Sequence, residues 1–115
     1  MPDNCIFCKI IAGEIPGNFV YQDEEIVVVE DIAPQAPHHY LLLPKKHIPT
    51  TLDLDLEDRE LVGHIHRVAA RIAREKGFAD EGFRIVNNCN ESGGQVVWHL
   101  HFHLLGGRRM GWPPG

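Results

Sequence analysis

Val96-Val97-Trp98-His99-Leu100-His101-Phe102-His103-Leu104-Leu105 is the stretch on which the reading of the chain turns. Even positions hold Val, Trp, Leu, Phe and Leu, while histidine occupies 99, 101 and 103. Successive side chains of a strand point to opposite faces, so this period of two predicts a strand over 96–105. Its even residues form a core face, and the three histidines share the other, each ~6.6 Å of strand from the next. Gly106-Gly107 breaks the pattern, and 108–115 forms an irregular tail.

Three roles compete for such a row. Histidines can simply make an exposed sheet face polar. Two neighbours, as H-x-H, could share a metal. One metal on all three is geometrically awkward, since the outer pair spans ~13 Å of strand and zinc holds nitrogens at ~2.0–2.1 Å. In the third role one imidazole is a nucleophile or proton carrier while others orient it or bind phosphate. Ser92-Gly93-Gly94-Gln95, just before the strand, favours the third, because its glycines let backbone N–H groups approach an anion.

Working outward, one helix is well marked. Asp55 is the expected N-cap, with Asp58 three residues on in the manner of a capping box. Leu61, Ile65, Val68 and Ile72 follow as a single apolar stripe. Acids open this helix, Arg71, Arg74 and Lys76 close it, and Gly77 stops it. Further strands are predicted over 19–22, 26–30, 40–43 (ended by Pro44) and 82–88, with a polar loop over 90–94. Short-linked strands with one long helix predict an α+β domain on a mostly antiparallel sheet.

Composition bounds the rest. The 115 residues suit one domain over 1–115 with a single core. A net charge of −5 speaks against nucleic-acid binding and against a polybasic membrane surface. Met1–Asn4 carries no basic region, and the apolar run Ile6–Ile11 is short and broken by Lys9. Neither a signal peptide nor a membrane helix is therefore expected. Three cysteines make no disulfide framework and point to a reducing cytoplasm. The pair Cys5-x-x-Cys8 is open to redox chemistry, to metal binding, or to no role at all.

His99-Leu100-His101-Phe102-His103-Leu104-Leu105 resembles the signature of the histidine triad (HIT) superfamily. The likeness runs through Ile6-Phe7-Cys8-Lys9-Ile10-Ile11, Gly13-Glu14-Ile15-Pro16, residues 31–37 and Leu43-Pro44-Lys45-Lys46-His47-Ile48. The tail, 105–115, is similar to that of the Hint branch. The resemblance implies a roughly five-stranded antiparallel sheet with one long helix, paired as a homodimer whose tail, 106–115, reaches the interface and active site.

It also implies chemistry. His101 matches the nucleophile that forms a nucleotidyl-histidine, His103 the phosphate contact and proton donor, and His39 their support. Asp31 and Ile32 match ribose contacts, Phe7, Ile10 and Val29 the walls of the base site, and Asn88, Gly94, Gln95 and Val96 phosphate contacts. Val96 stands where the animal Hint pattern has Ser. The implied substrate is a purine nucleotide, an adenosine 5′-phosphoramidate cleaved to AMP and an amine. Dinucleoside polyphosphate hydrolysis and a nucleotide-binding interaction module are the alternatives. Cys5, Cys8, His47 and His99 match a structural zinc site, and no organic cofactor is implied. His38, His64, His66, Cys89 and the Lys45-Lys46 pair are expected to be ordinary, with both helix histidines solvated.

Overall fold

Strand pairing begins where the sequence is least polar. The computed structural model describes residues 4–115, so the reading of Met1–Asn4 lies almost wholly outside the described residues. Strands β1 (Phe19–Gln22) and β2 (Ile26–Glu30) fall where predicted, joined by a turn in which Asp23 Oδ1 accepts the N–H groups of Glu25 and Ile26. β3 (His38–Pro44), β4 (Phe83–Val86) and β5 (Phe102–Gly106) complete a five-stranded sheet, ordered β1-β2-β3-β5-β4 and antiparallel throughout.

Both faces of this sheet are covered, which is why β2 is a continuous apolar run rather than an alternating one. One face carries the helix α2 (Arg59–Glu75), whose Leu61, Ile65, Val68 and Ile72 pack on Ile26, Val28, Leu42 and Leu104. The other carries a short helix, α1 (Ile6–Ile11), with Phe7 and Cys8 against Val27, Val29, Leu41 and Leu43. The sequence reading saw Ile6–Ile11 only as an apolar run. Six residues are too few to show a helical period. Among the described residues no helix is long and apolar enough to cross a membrane.

Element ends differ from expectation for local reasons. The Asp55–Asp58 capping box closes a 3₁₀ turn, Leu56–Asp58, before the α-helix begins at Arg59. Gly77 ends that helix with φ +83°. β3 runs through Pro44 instead of stopping before it, since Ile26–Pro44 is the last pair of its ladder, where a missing N–H is tolerated. β4 stops at Val86 because the Asn87 side chain turns to the His101 carbonyl.

The largest correction concerns 96–105. Only Phe102–Gly106 is a strand. Residues 96–101 leave the sheet, and the Leu100 N–H donates to Ile48 O at 2.6 Å rather than to a ladder partner. Val96 (82% exposed) and Trp98 (48%) are therefore not core residues, whereas His99 and His101 are buried. The Gln95 side-chain amide causes the detour. It donates to Pro49 O and Val97 O, and its oxygen accepts the Asn90 N–H. Period two was right for the strand and for Leu100, and wrong before it.

Candidate active site and metal centre

The detour at 96–101 divides the three histidines. His99 swings under α1 while His101 and His103 stay over the sheet. Nδ1 of His99 lies 3.4 Å from Cys5 Sγ, 3.5 Å from Cys8 Sγ and 3.1 Å from His47 Nδ1, and Cys8 Sγ lies 3.3 Å from His47 Nδ1. Bond lengths of ~2.3 Å to sulfur and ~2.0–2.1 Å to nitrogen put the corners of a tetrahedral zinc site about 3.3–3.8 Å apart. The spacing is thus that of a tetrahedral Cys₂His₂ set, and all four donor atoms lie within 4.8 Å of one another.

Protonation agrees with this geometry. His99 Nε2–H donates to Pro44 O at 2.8 Å, which leaves the Nδ1 lone pair free and facing the sulfurs. Burial pushes His99 down to about 4, so the ring is neutral at pH 7. Burial, then the neighbouring Cys5, push the Cys8 thiol up to about 11. Two adjacent sulfurs resist sharing negative charge unless a cation lies between them. Cys5 also caps α1, its Sγ accepting the Cys8 N–H, so the turn that brings the cysteines together is one the helix start makes.

His101 is 5% exposed, with its Nδ1 donating to the His99 carbonyl at 2.7 Å. That bond leaves Nε2 as the nitrogen with a free lone pair. Burial holds its pKa below the ordinary histidine value, partly offset by the His99 carbonyl and Asp31. Phe7 of α1 sets a ring edge-on at 4.9 Å. The Asn87 amide holds the His101 carbonyl at 3.0 Å. Sequence reasoning passed over Asn87, because the strand predicted over 82–88 ran through it.

His103 Nδ1 lies 2.9 Å from Nε2 of buried His39, and Asp31 Oδ2 lies 3.4 Å from the same nitrogen. Burial, with the nearby His101 and His39, pushes His103 down to about 4. His39 is lowered too, by burial against the pull of Asp31. A hollow of about 130 Å³ opens over Asp31 and His39, lined also by Glu30, Pro34, Pro37 and Tyr40.

The remaining candidates fall in varied settings. Phe7 and Val29 are buried beneath the site, Ile10 is half-buried, and Ile32 stands fully in solvent. Asp31 Oδ1 accepts the Ala33 N–H. Asn88 is half-buried, and Gly94 takes φ +85° at the loop's turn. Gln95 departs from expectation, since its backbone N–H donates to Asn90 O and its amide groups are all engaged in the loop. Gln95 shapes the loop instead of offering it a free donor.

Two residues expected to be ordinary have hydrogen-bonding partners where they stand. His64 Nε2 bonds Asp23 Oδ2 at 2.7 Å, and Lys46 bridges Glu57 and Asp58. His66 is exposed with its ring 5.5 Å from Phe102, and His38 stacks on Phe78.

An antiparallel sheet with alternate histidines entering its last strand, joined there by an upstream histidine and an aspartate, defines a histidine triad domain. Comparison with known proteins agrees: the chain belongs to the histidine triad family. The family model described as "Scavenger mRNA decapping enzyme C-term binding" matches residues 4–111. The purine nucleoside phosphoramidase of Escherichia coli K12 is 47% identical over 111 residues, 96% of this chain and 93% of that one. Among solved structures, a HIT family hydrolase from Legionella pneumophila superposes with a TM-score of 0.96 at 51% identity, covering 97% of this chain and 100% of the other. A histidine triad protein from Clostridium difficile gives 0.93 at 46% identity, covering 96% of each.

Proposed function

We propose that this protein hydrolyses the P–N bond of adenosine 5′-phosphoramidates, releasing AMP and an amine. One observation carries the reading: His101 has Nδ1 tied to a carbonyl and its ring kept neutral by burial, which makes Nε2 a nucleophile at neutral pH. Its support from relatives is the phosphoramidase activity named for the E. coli protein.

In the first step His101 Nε2 attacks the α-phosphorus and the P–N bond breaks. The departing nitrogen takes a proton from His103 Nε2–H and leaves as the free amine. In the second step water attacks the phosphorus and gives a proton back to His103. The bond to His101 breaks, and AMP departs. Asp31 accepts the ribose hydroxyls beside exposed Ile32, and Phe7, Ile10 and Val29 wall the base. Asn88, Gly94 and the backbone N–H of Val96 hold the phosphate. Val96 brings no hydroxyl to the leaving group, which puts more of that task on His103.

Cys5, Cys8, His47 and His99 would hold zinc as a structural centre. When bound, zinc fixes α1 and the 96–101 segment to one another and leaves the reaction to imidazole. The tail belongs at a homodimer interface: Trp112 is 82% exposed, an aromatic that a partner subunit would cover. The cytoplasm, where cysteine thiols stay reduced, is the compartment these free cysteines suit.

Rapid quenching with an adenosine phosphoramidate followed by mass spectrometry tests the reading. An adenylyl adduct on His101, with amine released ahead of AMP, is expected. Turnover persisting in His101→Ala overturns the nucleophile. A strong preference for diadenosine polyphosphates overturns the substrate class. AMP binding without turnover in the unaltered protein makes it an interaction module.

A further inference from the structure

We propose that the backbone N–H of Gln35 decides which nitrogen of His103 carries the proton, acting through His39, so that Gln35 is a positioning residue of the active site. The catalytic consequence rests on the reading of His103 as proton donor; the tautomers do not.

A neutral imidazole has one N–H and one lone pair. The Gln35 N–H donates to His39 Nδ1 at 3.0 Å, so the lone pair of His39 is at Nδ1 and its proton at Nε2. That Nε2–H has His103 Nδ1 at 2.9 Å, with Asp31 Oδ2 farther off at 3.4 Å. Donation therefore goes to His103, whose Nδ1 must supply a lone pair. The proton of His103 is left on Nε2, the nitrogen free to face a leaving group. A main-chain amide thus sets the donor two rings away.

The same chain of bonds resists protonation. A second proton on His39 has only Nδ1 to go to, and the Gln35 bond occupies it. On His103 only Nδ1 is open, and the His39 N–H faces it. The charged and titratable groups facing the pair are Asp31, which favours protonation of both, and His101, which opposes it on His103.

The Gln35 amide is well held for this task. Arg108 Nε donates to Gln35 O at 2.9 Å. Gly107, the first residue past β5, comes so near that a Cβ there would lie 2.9 Å from Pro37 Cβ. Strand β5 and the 31–37 loop are therefore locked together just beyond the strand's end, which keeps the Gln35 N–H in register with His39.

The test removes one atom. In the full-length protein, replacing residue 35 by the α-hydroxy analogue of glutamine turns the amide N–H into an ester oxygen and keeps the side chain. Gln35→Ala is the control, keeping the N–H and losing the side chain. Histidine ¹⁵N NMR of the unaltered protein should show Nε2–H tautomers for both His39 and His103. In the ester variant His39 should lose its single tautomer. Its kcat should fall about tenfold with KM little changed, the scale of one orienting hydrogen bond. The acid limb of its kcat/KM profile should move to higher pH, while Gln35→Ala keeps the original limb. An Nδ1–H tautomer on His39 in the unaltered protein overturns the proposal, and so do unchanged tautomers and acid limb in the ester variant. Correct tautomers in a protein that cleaves no phosphoramidate would sink the proposed function and leave this inference standing.

Discussion

The side-chain amide of Asn87 donates to the main-chain carbonyl of His101 across 3.0 Å, while its own oxygen accepts the hydroxyl of Thr51. One residue past β4, it therefore does for 99–103 what a ladder bond would have done had the strand continued. Next along the chain, the His99 carbonyl takes the His101 ring proton. The orientation of the proposed nucleophile is thus set by two bonds, one from the Asn87 side chain to its main-chain carbonyl and one from its own ring to the His99 carbonyl.

Asn87→Ala removes the first of these and is expected to lower kcat about tenfold, as misplacement of a reacting group does. Stability should fall by only about 1 kcal/mol, one net hydrogen bond. Asn87→Asp, with no donor and a charge beside the carbonyl, should be slower still. Steady-state kinetics with urea denaturation separates the two effects. Equal kcat in all three proteins would make Asn87 a strand terminator only.

How much of this could be read from the sequence depended on whether an apolar pattern lay under it. Leu61, Ile65, Val68 and Ile72 marked α2 because they bury one regular face, and 19–22 and 26–30 marked β1 and β2 as apolar runs bounded by a polar turn. His39, His101, His103 and Asp31 were expected together from the resemblance, and they stand together. Illegible were contacts made by the main chain or by a single amide. Gln95 pulls 96–101 out of the sheet, the Gln35 N–H meets His39, and Cys5 caps α1. No periodicity reports a hydrogen bond made by a main-chain amide, a thiol or one side-chain amide.

Gly106 closes β5, and a Cβ built on it would collide with the ring of Phe78, a buried residue just after α2. Gly106→Ala is expected to cost about 1–3 kcal/mol through overpacking. Pairing it with Phe78→Leu, which withdraws the ring edge, should recover part of that loss. Denaturation midpoints of the two single variants and the double variant give the coupling directly. Additive losses would show that the glycine answers to something other than the ring.

Removing metal tests the second cluster. Cys8→Ser, or strong chelation, is expected to lower the melting temperature by roughly 10 °C, the shift that about 2 kcal/mol gives a domain of this size. Activity at 25 °C should be partly retained, since His101 and His103 are not among the four ligands. Elemental analysis of the purified protein should find about one zinc per chain. If chelation ends turnover at once while leaving the fold intact, the metal takes part in the chemistry and the division between His99 and its neighbours is wrong.

Acid should weaken the fold through the same rings that serve catalysis. An unfolded histidine titrates near 6.5, while burial of His103, with the nearby His101 and His39, brings it to about 4 and burial of His39 lowers that residue as well. Between those values the unfolded chain binds protons that the native protein refuses, so stability rises with pH across the window. The contribution is complete above about pH 6.5 and is lost as pH falls toward 4. Urea midpoints should be level from pH 8 to 7 and drop steadily from 6.5 downward. Burial brings His99 to about 4 as well, so the comparison that isolates this pair is His103→Asn. That variant should follow a shallower slope between pH 6.5 and 4, whereas an identical slope would mean that His103 is already protonated in the folded protein.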